Sequence, residues 1–183
     1  MKMKRLKKVL LTGLSALMIL GTLAGCGSKN AAPTATAEEV YDAIQSAFVE
    51  TYGHEAIQNM PTDVNDTILS EQFHISPDQV ESYRGVIAGM MTNCDELLVV
   101  KAKEGELQSV QEALNQALQE QYDAFSWYAV MHNTERLDAA KVVVKGNYAA
   151  LLIVGVSPED PSVEVDFSAD VALAENAFNN ALS

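Results

Sequence analysis

The chain has 183 residues, 48% of them apolar, and its 25 acidic and 12 basic residues give a net charge of −13. This length favours one domain with its own core. The acidity disfavours nucleic acid as a partner, because the protein would repel its phosphates, and the domain itself would also repel anionic lipid headgroups.

The first 25 residues predict a cleavable export signal. An apolar run from Val9 to Ala24 follows five basic residues, which is typical of a secretory signal. The sequence Leu23-Ala24-Gly25-Cys26 has the pattern of a lipobox, in which Cys26 receives lipid and the chain is cut before it. Two alternatives remain open. One is an uncleaved anchor, since a span needs ~17 to 25 apolar residues, and the other is an ordinary signal with a chance cysteine.

Lipid on Cys26 predicts a protein held at the cell membrane and facing outside the cytoplasm. Two acyl chains, such as palmitate, anchor stably where one chain binds only marginally. Residues 26–36 are small and polar and predict a flexible tether, so residues 37–183 form the predicted domain. Removing residues 1–25 leaves 7 basic and 25 acidic residues, a net charge of −18. Cys94 is then the single cysteine without lipid, which excludes a disulfide within the chain.

The domain begins with strong helix signals. Thr36 and Glu39 form a capping-box pattern, and apolar residues at helical spacing predict a helix over 37–52 that ends at Gly53. Residues 62–74 predict a short second helix. Ser76-Pro77-Asp78-Gln79 has the start signals of a helix, but strand-like residues follow, so a single turn is expected.

The middle of the chain predicts a hairpin and a long helix. Residues 83–91 and 96–103 are apolar and partly β-branched, and the turn-forming segment 92–95 separates them. Apolar residues spaced near 3.6 over residues 106–125 then predict an amphipathic helix.

The last third predicts a short helix over 133–140 that Asn133 caps, a second hairpin and a final helix. The strands 141–145 and 148–156 meet at Gly146-Asn147, residues that tolerate the positive φ of a two-residue turn. The final helix is expected over 168–182. This order predicts an α+β fold, with an antiparallel sheet of about four strands in two hairpins and helices packed on one face.

Three segments resemble a known family. They are the run Gly89–Lys103 followed by Val110–Leu114, the later Gly146-Asn147-Tyr148, and the C-terminal run Ala174–Phe178. They are similar to the pattern of domain of unknown function 4358, a family of small lipoproteins of Gram-positive bacteria. The resemblance covers about residues 38–182 and departs at Cys94, where a small or apolar residue is expected. It implies location and fold and brings no activity.

No catalytic or metal motif is complete. His54-Glu55 begins like a zinc-protease helix, but Gln58 stands where the second histidine is required. The calcium-loop start at Asp63 lacks the required glycine and glutamate. Cys94 lies beside acidic residues, which raise the pKa of a thiol and oppose nucleophilic chemistry. No cofactor or metal is therefore predicted.

Five residues form a candidate interaction surface. Asn93, Asp95 and Glu96 at the first hairpin turn could bind a cation or a partner's basic group, although Asx-turn chemistry explains Asn93 and Asp95 without a function. Trp127 and Tyr128 after the long helix could line a groove, although such rings often lie at the rim of a core.

The leading hypothesis is a membrane-anchored, non-enzymatic domain that binds an envelope protein or a small ligand. The alternative is a cell-envelope hydrolase whose site is assembled from scattered residues. That alternative predicts a pocket in which His132 or His74 lies beside a carboxylate or a hydroxyl with shifted pKa values. A redox role for Cys94 is a third hypothesis.

Overall fold

The computed structural model describes residues 34–128, 130–158, 160 and 163–183. The predicted signal peptide of residues 1–25, Cys26 and most of the predicted tether lie outside these residues. Helix α1, Ala37–Tyr52, begins where the side chain of Thr36 accepts from the backbone N–H of Glu39 at 3.1 Å. It ends at Gly53, whose φ of 82° is left-handed. The predicted bounds of this helix are confirmed.

Five antiparallel strands form one sheet, in the order β1-β2-β3-β5-β4. Their bounds are β1 Pro61–Asp63, β2 Val80–Ala88, β3 Glu96–Ala102, β4 Lys141–Lys145 and β5 Tyr148–Ile153. The predicted four-strand sheet is therefore one strand short. The missing strand β1 lies where the sequence predicted the start of a helix, and only α2, Asp66–Glu71, is helical there. All three β1 residues are exposed, so pairing with β2 creates this strand without an apolar pattern.

Both predicted hairpins are present, and the pairing of β3 with β5 joins them. The second hairpin turns at Gly146, whose φ is 61°, as a tight turn requires. The first pair is joined less tightly, by residues 89–95, because β2 ends at Ala88.

Helices cover both faces of the sheet, so the prediction of helices on one face is wrong. Helices α1 and α5 (Ser168–Ala181) pack on one face, where Leu97, Val99, Ala150 and Leu152 contact them. The opposite face carries Leu98, Val100, Ala149, Leu151 and Ile153 and packs against α2, α3 (Leu107–Phe125) and α4 (Asn133–Ala139). All six residues of β5 are buried. An unbroken apolar run marks such two-sided cover.

The remaining elements agree with the sequence in type. The segment Pro77–Gln79 is a single 3₁₀ turn that Ser76 caps. Asn133 was predicted to cap α4, but His132 holds the capping position and Asn133 is the first helical residue. The reason is tertiary, since the buried amide of Asn133 bonds the loop before β3.

The two ends of the sheet are bordered by different parts of the chain. At the N-terminal end, where β5 begins, the hydroxyl of Tyr148 donates to the carbonyl of Ala35, and the N–H of Ala37 donates to the Oγ of Ser82 at 3.1 Å. Helix α1 runs from there for 16 residues, which is ~24 Å at 1.5 Å per residue. The opposite end, called the loop end here, carries the described residues of the segments 53–60, 89–95, 126–132 and 154–158.

Each edge of the sheet is short or charged. The edge strand β1 has three residues and begins with Pro61, which has no N–H to offer a further strand. The other edge, β4, begins and ends with Lys141 and Lys145. Among the helices of the described residues, none has both the length and the apolarity to cross a membrane.

Candidate functional site

The segment before β3 is shaped by its own side chains. The Oδ1 of Asn93 accepts from the backbone N–H of Asp95 at 2.7 Å, and the Nδ2 of Asn93 donates to the Oδ2 of Asp95 at 3.0 Å. The first bond is the Asx turn that the sequence offered as the explanation of these residues. Together the two bonds fix the direction of the Asp95 carboxylate.

Asp95 forms a buried ion pair with Arg136 of α4, and each side chain is about 2–3% exposed. The guanidinium also donates to the carbonyls of Met131 and Gly155 and to the Oγ of Ser157. Its Cζ lies 4.6 Å from the ring centre of Phe167. Arg136 thus ties the start of β3 to the segment after β5, and most of its N–H groups already have partners.

Two opposing effects determine the pKa of Asp95. Burial raises the pKa of the carboxyl to about 6, and Arg136 and the amide of Asn93 limit the rise. A guanidinium stays protonated in proteins. The ionised pair is therefore the form at neutral pH.

Glu96 projects toward the α3 face, and no basic side chain among the described residues pairs with it. Its Oε1 accepts from the amides of Gln72 and Gln121, and the side chain is 2% exposed. Burial raises the pKa of Glu96 to about 8, the two amides lower it, and the nearby charge of Asp95 raises it. The carboxyl is therefore largely protonated at neutral pH.

Cys94 lies between these acids as a buried thiol. Its backbone N–H donates to the Oδ1 of Asn133 at 3.2 Å. Burial, followed by the charge of Asp95, raises the pKa of the thiol to about 12. Thiolate is the reactive form, so this environment opposes nucleophilic chemistry at Cys94.

A cleft of about 150 Å³ opens at the loop end beside the ion pair. Six of the ten residues that line it are polar, and Ala56, Met131, Gly155 and Val156 complete the wall. The polar lining residues are His54, Gln58, Asn59, Asp95, Arg136 and Ser157.

Two consecutive residues near the cleft have strained backbone. Met131 and His132 have φ of 59° and 57°, a left-handed conformation that non-glycine residues rarely adopt. Such outliers concentrate at binding and catalytic sites. The carbonyl of Met131 accepts from Arg136, so the ion pair helps to hold this turn.

The histidines named for the hydrolase alternative lie elsewhere. His74 pairs with Glu120 at 2.8 Å on the exposed surface, and the ring of His132 lies 6.3 Å from that of Phe167. His54 is the histidine that lines the cleft. Within the described residues, no three His, Cys, Asp or Glu side chains are grouped so that they could hold a metal ion.

The five predicted surface residues divide into two sets. Asn93, Asp95 and Glu96 are buried, and of these three Asp95 lines the cleft. The cause of their burial is the covering of both faces of the sheet, which encloses the turn. Trp127 is 76% exposed, and its ring packs 5.6 Å from the half-buried ring of Tyr128.

Sequence reasoning missed Arg136 and the cleft. A signal existed, because Arg136 is the single basic residue between Lys103 and Lys141 in an otherwise acidic stretch. Many acidic residues could pair with Arg136, and the sequence alone does not identify its partner.

A family model described as Domain of unknown function (DUF4358) matches residues 54–154. The match begins at the cleft residue His54 and ends with the residue after β5, so it contains the whole sheet and the Asp95–Arg136 pair. No curated protein and no solved structure matches the chain.

Proposed function

The chain belongs to the family described as Domain of unknown function (DUF4358), and from that premise we propose that it is an exported lipoprotein whose domain binds a small polar ligand without catalysing a reaction. The predicted family resemblance is confirmed. Attachment through lipid on Cys26, a position outside the cytoplasm and the binding role are proposals that rest on the residues themselves.

The cleft beside the buried Asp95–Arg136 pair supports the binding role. All four segments of the loop end contribute residues to the cleft, and Arg136 bonds directly to three of them. Recessed sites with a few fixed polar groups are the usual form of small-ligand sites. The volume of about 150 Å³ is similar to that of a cavity that holds benzene, so a ligand of roughly six non-hydrogen atoms fits.

The charges of the cleft indicate which ligands fit. Asp95 and Arg136 neutralise each other, and the guanidinium has already bonded two carbonyls and one hydroxyl. A strong anion would find few unused N–H groups. We therefore expect an uncharged or zwitterionic molecule that bonds to the side chains of His54, Gln58 and Ser157 in the wall.

Thermal unfolding in the presence of small compounds tests the binding role. A panel of amino acids and short polyols should contain a compound that raises the melting temperature, while inorganic phosphate should not. His54→Ala and Ser157→Ala should each reduce that rise, and Ser70→Ala, on exposed α2, should retain it. A panel without effect, or a rise that survives both cleft variants, contradicts the proposal.

Mass spectrometry of the protein from its native host tests the anchor. The N-terminal peptide should begin at Cys26 and carry a thioether-linked diacylglycerol. Cys26→Ser should leave the leader uncut and the sulfur-bound lipid absent. An unmodified Cys26 in the wild-type protein contradicts the anchor without bearing on the cleft.

A cell-envelope hydrolase is the second candidate, because His54, Ser157 and Asp95 all line the cleft. Their present bonds do not form a relay. The Oγ of Ser157 accepts from Arg136 at 3.1 Å, and the Nδ1 of His54 lies 2.9 Å from the carbonyl of Glu55. A fluorophosphonate probe separates the candidates, since labelling that Ser157→Ala abolishes favours the hydrolase and no labelling favours binding.

A further inference from the structure

Exposed apolar side chains are concentrated at the loop end. Met60, Met91 and Trp127 are 70%, 96% and 76% exposed, and Val130 is 47% exposed. Trp127 is the single tryptophan of the chain, and the four methionines after residue 25 all lie in the segments 53–60, 89–95 and 126–132. Exposed methionines occur often on surfaces that bind partner proteins, and tryptophan is enriched among residues that dominate binding energy.

These three segments contact one another. The N–H of Gly89 donates to the carbonyl of Met60 at 3.0 Å, which joins the first two. The amide of Asn133 donates to the carbonyls of Thr92 and Tyr128 at 2.9 and 3.4 Å, which joins the second and third. The apolar side chains therefore stand on connected segments that the fold holds in place, and a fixed surface loses less entropy when it binds.

The loop end lies far from the point where the chain enters the domain. Ala35 and Ala37 contact the N-terminal end of the sheet, and α1 separates the two ends by ~24 Å. Lipid on Cys26, as proposed above, would therefore tether the domain from the end opposite to these segments. The acidic residues of the domain repel anionic lipid headgroups, which disfavours the bilayer as the occupant.

The charges around these segments favour a basic partner. The segments 53–60, 89–95 and 126–132 contain no lysine and no arginine. Glu55, Asp123 and Glu135, within or next to them, are exposed acids. Charge of one sign around an apolar centre selects a partner with the opposite sign at its rim.

We infer that Met60, Met91, Trp127 and Val130 form a docking surface for a partner protein that presents an apolar pocket bordered by lysine or arginine. The cleft and this surface share the loop end, so a bound partner would lie over or beside the ligand. That the partner is an envelope protein rests on the proposed lipid anchor, whereas the chemistry of the partner rests on the domain alone.

Site-specific photo-crosslinking in cells of the native host tests this inference. A photoreactive amino acid replaces Met91 or Trp127 in the full-length chain. The matched control replaces Val144, an apolar residue of β4 that is 37% exposed and pairs with Ala149 toward the N-terminal end of the sheet. One discrete protein adduct from positions 91 and 127, absent from position 144, is expected, and its crosslinked peptide should be apolar with flanking Lys or Arg.

The partner identified in this way is then purified with the domain for affinity measurements. Trp127→Ala should weaken binding about 30-fold or more, as expected for a dominant interface residue, with unchanged circular dichroism. Added salt should weaken it further. Adducts with a second copy of this chain, adducts with lipid, equal adducts from position 144, or no adduct would each overturn the inference.

The mass of the N-terminal peptide from the same cells separates this result from the anchor. An unlipidated chain that still forms the adduct refutes the anchor and leaves the docking surface standing. A lipidated chain without the adduct refutes the docking surface alone.

Discussion

Asp95 and Glu96 are adjacent in the chain and equally buried, but they meet different partners. Asp95 contacts the guanidinium of Arg136 beside an open cleft. Glu96 contacts two glutamine amides beneath α3. Burial raises both pKa values, to about 6 for Asp95 and to about 8 for Glu96.

The difference shows how the partner of a buried carboxyl decides its charge. A contacting base offsets part of the cost of burying the ionised form, whereas neutral amides offset less of it. Asp95 therefore carries charge at the cleft at neutral pH, and Glu96 behaves as a neutral polar group within the core. Each variant below changes the charge or the partner of one of these two carboxyls, or provides a control.

Removing Arg136 should have the largest effect on the free energy of unfolding. Arg136→Met leaves Asp95 buried without its partner, and breaking a buried pair costs about 3–5 kcal/mol of unfolding free energy. The loss should be larger at pH 7 than at pH 5, because the pKa of Asp95 then rises further and protonation relieves the unpaired charge. Urea unfolding at both pH values measures this.

An exposed ion pair provides the control for that variant. Lys141 pairs with Glu175 at 3.0 Å on the surface, where such pairs contribute about 0–1 kcal/mol. Lys141→Met should therefore change stability by less than about 1 kcal/mol. Equal losses from the two variants would show that Arg136 does not act through a buried pair.

Neutralising Glu96 should have the next largest effect, with the opposite sign. The folded pKa of about 8 lies above the ordinary value of 4.5, so the unfolded chain ionises first as pH rises. Stability conferred by the protonated carboxyl is therefore lost between about pH 4.5 and pH 8. Glu96→Gln should be more stable than wild type at pH 8, by on the order of 3 kcal/mol, and equal to it near pH 4.

Asp95→Asn distinguishes the titration of Asp95 from that of Glu96 when urea unfolding is measured over the same pH range. The pKa of Asp95 is raised only to about 6, so its ionisation lowers stability between about pH 4 and pH 6. The decline between pH 6 and pH 8 should therefore persist in Asp95→Asn and disappear in Glu96→Gln. The reverse pattern would assign the higher pKa to Asp95 and invalidate the comparison.

Removing one amide donor should have the smallest effect. Gln121→Leu removes one of the two hydrogen bonds that lower the pKa of Glu96. The cost should be about 1 kcal/mol, and larger at pH 8 than at pH 5. Gln119→Leu, two residues away on an exposed part of the same helix, should cost less, and an equal cost would indicate a general effect on α3.

Elements with local signals could be predicted from the sequence. The bounds of α1 follow from the Thr36–Glu39 capping box and from Gly53. The turn at Gly146-Asn147 follows from the positive φ that these residues tolerate. In each case, the residues that decide the structure lie within a few positions of one another.

Features that depend on distant contacts could not be predicted. Strand β1 is exposed and exists through its pairing with β2. The sequence analysis expected helices on one face and did not use the unbroken apolar run of β5, which is typical of a strand covered on both faces. Arg136 could pair with any of several acidic residues, and the fold is what places it beside Asp95.

The short edge β1 with Pro61 and the edge β4 with Lys141 and Lys145 would have a consequence under the proposed anchoring by lipid. Molecules confined to a bilayer surface diffuse in two dimensions and collide often at high local concentration, where open strand edges would join into sheets of many copies. A proline without an N–H, a three-residue strand and lysine charges oppose such joining. A lipid-anchored domain with these edges would therefore keep its copies apart even when crowded.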